Sequence, residues 1–145
     1  MSDLVGQVHN LPQVYNLPQV SRLQKHRLPG LDLGGGFIYP HYQGWSILNI
    51  PASVCQLLGA PGIGAAPLAP EILAPLGERF QRVILILMDA LALHRLQRWI
   101  SDGTASVWGE LAQAGTLAPI TSITPSTTSA ALTALWSGRS AAQHA

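Results

Sequence analysis

The sequence predicts an α/β domain built on a doubly wound, mostly parallel sheet, and three observations carry that expectation. Residues 83–88, Val-Ile-Leu-Ile-Leu-Met, form a short apolar run without alternation. A central strand covered on both faces reads this way, whereas a surface strand alternates apolar and polar residues. After Asp89 the spacing turns helical, with Leu93, Leu96 and Ile100 on one face and Arg95 and Arg98 off it. The candidate elements then run strand, helix, helix, strand, helix, the order of such a domain.

Taken in order, residues 1–44 read as an extended or poorly ordered lead-in. Prolines at 12, 18, 29 and 40 and the run Gly34-Gly35-Gly36 oppose long regular elements. The tandem repeat Asn10-Leu-Pro-Gln-Val14 and Asn16-Leu-Pro-Gln-Val20 is too short, and has too few copies, for a solenoid. The triple glycine lacks the Lys and Ser/Thr of a P-loop and the spacing of a dinucleotide fingerprint. Residues 45–145 form the second unit. There Ile50-Pro51 opens a short helix that Gly59 ends. Residues 60–70 are a Pro/Gly/Ala connection, and 71–76 add a turn of helix closed by Gly77. Beyond the 83–88 strand, one helix ends at Ser101-Asp102-Gly103 and a second, over 106–114, stops at Gly115. Residues 116–123 are the second strand, and 129–136 a third helix rich in alanine and leucine.

Composition narrows the function classes. Apolar residues make up 48% and charged residues only 10%, against about a quarter charged in an ordinary domain. The balance favours a fragment whose apolar faces further chain would cover. The net charge is +1, and no basic cluster is denser than Arg22, Lys25, His26 and Arg27, which argues against a nucleic-acid footprint. Cys55 is the single cysteine. It has no internal disulfide partner, which suits a reducing compartment, the cytoplasm by default, and a small buried role. Residues 1–10 lack the basic start and apolar run of a secretion signal. No apolar stretch approaches the roughly 18 residues of a membrane helix.

Ligands of open α/β sheets bind beyond the carboxyl ends of the strands, and two candidates stand there. Asp89 is the only charged residue between Arg82 and Arg95. A carboxylate after a buried strand is costly unless it caps, pairs or holds a cation. Capping of the following helix and metal binding both stand open. The second candidate is Thr124-Pro125-Ser126-Thr127-Thr128-Ser129, between the second strand and the third helix. Hydroxyl residues here are ordinary N-caps. The same helix end also attracts phosphate through its free N–H groups and dipole. A threonine hydroxyl there becomes a nucleophile only when a base or metal removes its proton.

The pair "VILILMDAL" and "TSITPSTTSAALTALWSGRSAAQH" resembles the N-terminal motifs of the type I phosphodiesterase/nucleotide pyrophosphatase family, in the alkaline phosphatase superfamily. The resemblance covers residues 80–145, and 45–145 more loosely. It implies an alkaline-phosphatase-like sheet, incomplete in this chain, of which 45–145 would be the N-terminal part. It implies two divalent ions, zinc with manganese as the alternative, and hydrolysis of a small phosphoester. Asp89 matches the metal ligand. Pro125 and Thr128 match the segment whose threonine is both nucleophile and ligand, and Ser137-Gly138 the helix end. Thr127 is the rival nucleophile; Thr128 is preferred because Gly138 follows at the family spacing. His144 matches a downstream histidine that is more often structural than a ligand. Ala131 replaces an asparagine common in nucleotide pyrophosphatases, and Ala90 and Ala145 replace usual glycines. The family's other Asp and His ligands fall beyond this sequence, so the fragment alone is expected to be inactive. The alternative is a non-catalytic α/β binding or assembly module in which Asp89 and Thr128 are helix caps.

Overall fold

A computed structural model describes residues 18–144. His9, the first repeat copy, residues 1–10 and Ala145 lie outside the described residues.

The expected sheet is absent among the described residues. The structure is 46% helical and 2% strand, and the β-structure among the described residues is one parallel bridge, Ser46 to Thr121. This corrects the doubly wound α/β reading. A strand exists only where a neighbour takes its N–H and C=O groups. Residues 83–88 find no such neighbour among the described residues, form no regular element, and are exposed apart from the half-buried Val83. Residues 116–123 contain Pro119, which has no N–H to give, and spend their backbone on the 45–47 segment. There Thr121 N donates to Trp45 O at 2.7 Å and Ile47 N to Thr121 O at 3.0 Å. A continuous apolar run fixes neither burial nor pairing, because the partners lie elsewhere in the chain.

The helices follow local signals. α1 spans Pro18–Lys25 and buries Leu23 against Trp45, Ala69 and Ile72. Ser46 starts a 3-10 turn, Ile47–Asn49, with a capping box between the Ser46 and Asn49 side chains. α2 follows directly at Ile50–Leu58, and Gly59 ends it in the left-handed conformation. α3 (Pro70–Leu73) runs into a 3-10 turn, Ala74–Leu76, that Gly77 closes. α4 (Leu93–Ser101) packs on α5 (Ser106–Ala114). α6 (Thr128–Ser137) packs on α2 and on the first 3-10 turn, and α7 (Ala141–His144) follows it.

Two apolar clusters flank the 45–49 segment. Leu23, Trp45, Ala69 and Ile72 form one, with Ala118 and Ile120 packed against it. Leu48, Ile123 and Ala134 form the other. Between them lies a buried polar knot. Asn49 Oδ1 accepts from Ser46 N at 3.0 Å, and Asn49 Nδ2 donates to Tyr42 O at 2.9 Å and Ala66 O at 2.8 Å. The Ser53 hydroxyl donates to Asn49 O and accepts from Leu68 N. Every buried polar group in this knot is paired, as burial requires.

Candidate functional site

Loop 124–127 and α6 position the threonines. Thr124 N donates to the Tyr42 hydroxyl at 3.1 Å, which ties the loop to the 42–49 segment. Thr127 is extended at φ −69° and ψ 149°, and its hydroxyl accepts from Ala130 N at 3.4 Å. Thr127 is therefore the N-cap, and Thr128 is the first helical residue. The Thr128 side chain is exposed, and its hydroxyl makes no hydrogen bond with any described residue. The backbone N–H groups of Thr128 and Ser129 likewise donate to no described group, as is usual for the open first turn of a helix. One free hydroxyl and two free donors share one helix end.

At the far end of α6, Gly138 adopts φ 66° and its N–H donates to Ala134 O at 2.8 Å. Its carbonyl accepts from Ala65 N at 2.7 Å. A Cβ at Gly64 would collide with this carbonyl, and one at Gly138 would come within 3.0 Å of Ile63 O, so Gly138 ends the helix and both glycines permit the close backbone approach. Ala131 packs half-buried against the Leu48, Ile123 and Ala134 cluster. An asparagine amide at 131 would have to leave that apolar contact.

Asp89 lies in the turn before α4, exposed, and its Oδ1 accepts from Ala90 N at 2.8 Å. It does not cap α4, whose N-cap is Ala92, without a side-chain bond. Ala90 has φ 57°, the one positive value among the described non-glycine residues. This is the position where the resembled family carries glycine, and an L-residue there is strained.

No three described His, Cys, Asp or Glu residues form a group able to hold a metal ion. Asp89 and Thr128 offer two ligands at most, below the three or more of a protein zinc site. The described residues therefore do not fit the two-ion site that the resemblance implies. The open groove of about 1070 Å³ lies elsewhere, along Tyr42, Gly44, Trp45, Glu71 and Glu78. Its charged lining residues, Glu71 and Glu78, are both carboxylates, and Glu71 is paired with Arg22.

A histidine pair stands next to Trp45, and no local pattern in the sequence announces it. His26 and His41 stack with ring centroids 4.0 Å apart, and Arg22 sits 4.8 Å from the centre of the Trp45 ring. Burial, then His26 and Arg22, hold His41 below the ordinary histidine range. Only tertiary structure brings positions 26 and 41 together. His94 is exposed on α4 and Cys55 is half-buried on α2. No helix among the described residues is long and apolar enough to cross a membrane. No protein-family model, curated protein or solved structure matches the chain.

Proposed function

We propose that the chain carries the nucleophile segment of a metal-dependent phosphoric ester hydrolase of phosphodiesterase/nucleotide pyrophosphatase type. Thr128 is the attacking residue, and Asp89 is one ligand of a divalent ion. The observation that carries the reading is the division of labour at the start of α6. Thr127 does the capping, which leaves the Thr128 hydroxyl exposed and uncommitted beside two free N–H donors. Such a helix end attracts a phosphoryl group. Thr128 Oγ1 would bond to phosphorus as the ester P–O bond breaks, its proton ending on the departing alcohol, and water would then release from the threonine a phosphate monoester where the substrate is a diester, or phosphate where it is a monoester. A cytoplasmic setting belongs to the same reading and rests on the lone cysteine.

The metal requirement is unmet within the described residues, so the other ligands have to come from outside them. The chain alone should therefore show no turnover. The test is hydrolysis of aryl phosphodiesters and monoesters with added zinc or manganese. It is run on the 145-residue chain and on the longest natural reading frame that contains it. In the active form, Thr128→Ala should lower kcat on the order of a thousandfold or more. Thr127→Ala should lose only helix stability, up to about 1 kcal/mol. Inactivity confined to Thr127→Ala would move the nucleophile by one residue. Full activity in both variants, or in no form at all, refutes the proposal.

A further inference from the structure

A ladder of rings and cations joins α1 to the rest of the molecule. Arg22 and His26 share one face of the helical stretch, since His26 N donates to Arg22 O at 3.0 Å. Opposite them stand Trp45 and His41, tied by Trp45 N donating to His41 O at 3.2 Å. Arg22 lies over the Trp45 ring, and His26 stacks on His41 with centroids 4.0 Å apart and 23° between the planes. Between these two contacts, Leu23 alone among the described α1 residues enters the apolar cluster with Trp45, Ala69 and Ile72. We propose that the ladder makes α1 an acid-released strap, docked while one of the two stacked imidazoles is neutral and let go when both carry a proton.

Two neutral rings attract when stacked, and a cation on a neutral ring face is tolerated. Two imidazolium rings at this distance repel. The surrounding charges do not offset that repulsion. On or just past α1 stand Arg22, Lys25 and Arg27, the last over the Tyr39 ring. The 39–45 segment adds His41 and the phenols of Tyr39 and Tyr42. From α3 comes Glu71, about half exposed and already paired with Arg22 at 3.1 Å. Segment 116–123 carries no charge; its Thr121 hydroxyl accepts from His41 N at 2.9 Å. Asp32, in the loop after α1, accepts from Gly34 N. The seat of His41 points the same way. Its Nδ1 is buried and bonds to no other described residue. A neutral ring can leave one nitrogen bare, whereas an imidazolium carries N–H on both, and a buried donor without a partner is costly. Burial, then His26, hold His41 below the ordinary histidine range. Docked α1 thus binds fewer protons than released α1, so docking is full above that range and falls as pH drops through it.

Once undocked, a helix this short does not persist in water, so release also melts α1. The Asn49 knot and the Leu48, Ile123 and Ala134 cluster contain no α1 residue and stay in place. The strap does not rest on the phosphoester reading. The test follows Cα chemical shifts of the 145-residue chain from about pH 7.5 to about pH 5. The helical offsets of Ser21–Lys25 should fade in one transition, the ratio of docked to released α1 falling at least about tenfold. Those of α6 should hold. His26→Phe and His41→Phe each keep a ring in the stack and leave one imidazole, whose charged form a phenyl face attracts. Both variants should keep α1 helical at the acid end. An α1 that stays helical throughout in the parent chain, or α6 lost at the same pH, overturns the proposal. So does release of α1 at the parent's pH in either phenylalanine variant, or an α1 that neither variant docks at neutral pH.

Discussion

Asn49→Ala should be among the most destabilising single changes in the chain. The Asn49 side chain is fully buried, and its amide serves three backbone groups, Ser46 N, Tyr42 O and Ala66 O. Alanine leaves all three without their partner. A buried group so orphaned costs about 1–3 kcal/mol, and losses within one network do not add in full. The expected total is about 3–5 kcal/mol, a large part of the roughly 5–15 kcal/mol that holds an ordinary domain together. Asn49→Asp is a sharper probe, because it keeps the acceptor for Ser46 N. Its second oxygen then faces two carbonyls while the site takes on a buried charge, so the loss should be at least as large. Glu71→Gln is the contrast. It breaks an ion pair with Arg22 in which both side chains are about half exposed, and should leave the transition unmoved within error. Urea unfolding, followed by circular dichroism and tryptophan fluorescence, gives the differences. A loss below about 1 kcal/mol for Asn49→Ala at unchanged slope would mean that the knot does not organise the core.

Three further outcomes are expected. His41 is held below 6.5 in the folded state, so the unfolded chain takes up its proton first. Stability is full above that value and falls as pH drops through it, and His41→Gln should flatten that part of the urea-midpoint profile. Calorimetry should find no tight, stoichiometric zinc binding to the 145-residue chain; tight binding abolished by Asp89→Asn would mean that further ligands reach Asp89. Ala90→Gly should stabilise by up to about 1 kcal/mol by relieving a positive φ, while Gly103→Ala should lose a similar amount, as read from urea midpoints. Gly103 has φ 79° and open space around it, so conformation alone sets that loss.

Most helices beyond residue 45 were readable because their signals are local, whereas α1, over Pro18–Lys25, lies in a stretch read as an extended or poorly ordered lead-in. Proline in the first turn and left-handed glycine at the end marked α2, and glycine after Ala114 marked the end of α5. The strands were misread because pairing is not local. The 83–88 run has the composition of a central strand but no second strand to lie against among the described residues, and 116–123 uses its backbone on the Trp45 turn. At the candidate site, the hydroxyl cluster was readable and its internal roles were not. Thr127 and Thr128 are adjacent and chemically identical, and only the extended backbone of Thr127 decides which one caps. The Ser46–Asn49 box has a recognisable spacing. Its two carbonyl partners, Tyr42 and Ala66, lie on either side of it in sequence and emerge only from the fold.

The two unusual features of this molecule rest on separate supports, and that makes them separable by experiment. The start of α6 is held by the Leu48, Ile123 and Ala134 cluster and by the Tyr42 hydroxyl on Thr124. Residues 83–88 contribute no side chain to either apolar cluster. Ile84→Lys should therefore keep the environment of Thr128 intact, and the Thr128 N–H resonance should not shift. Thr128→Ala, in turn, removes a hydroxyl that holds no described residue, and should leave the urea midpoint unchanged. A chemical shift change at Thr128 in Ile84→Lys would show that residues 83–88 and α6 are coupled, and that the free hydroxyl owes its exposure to more than the Thr127 cap.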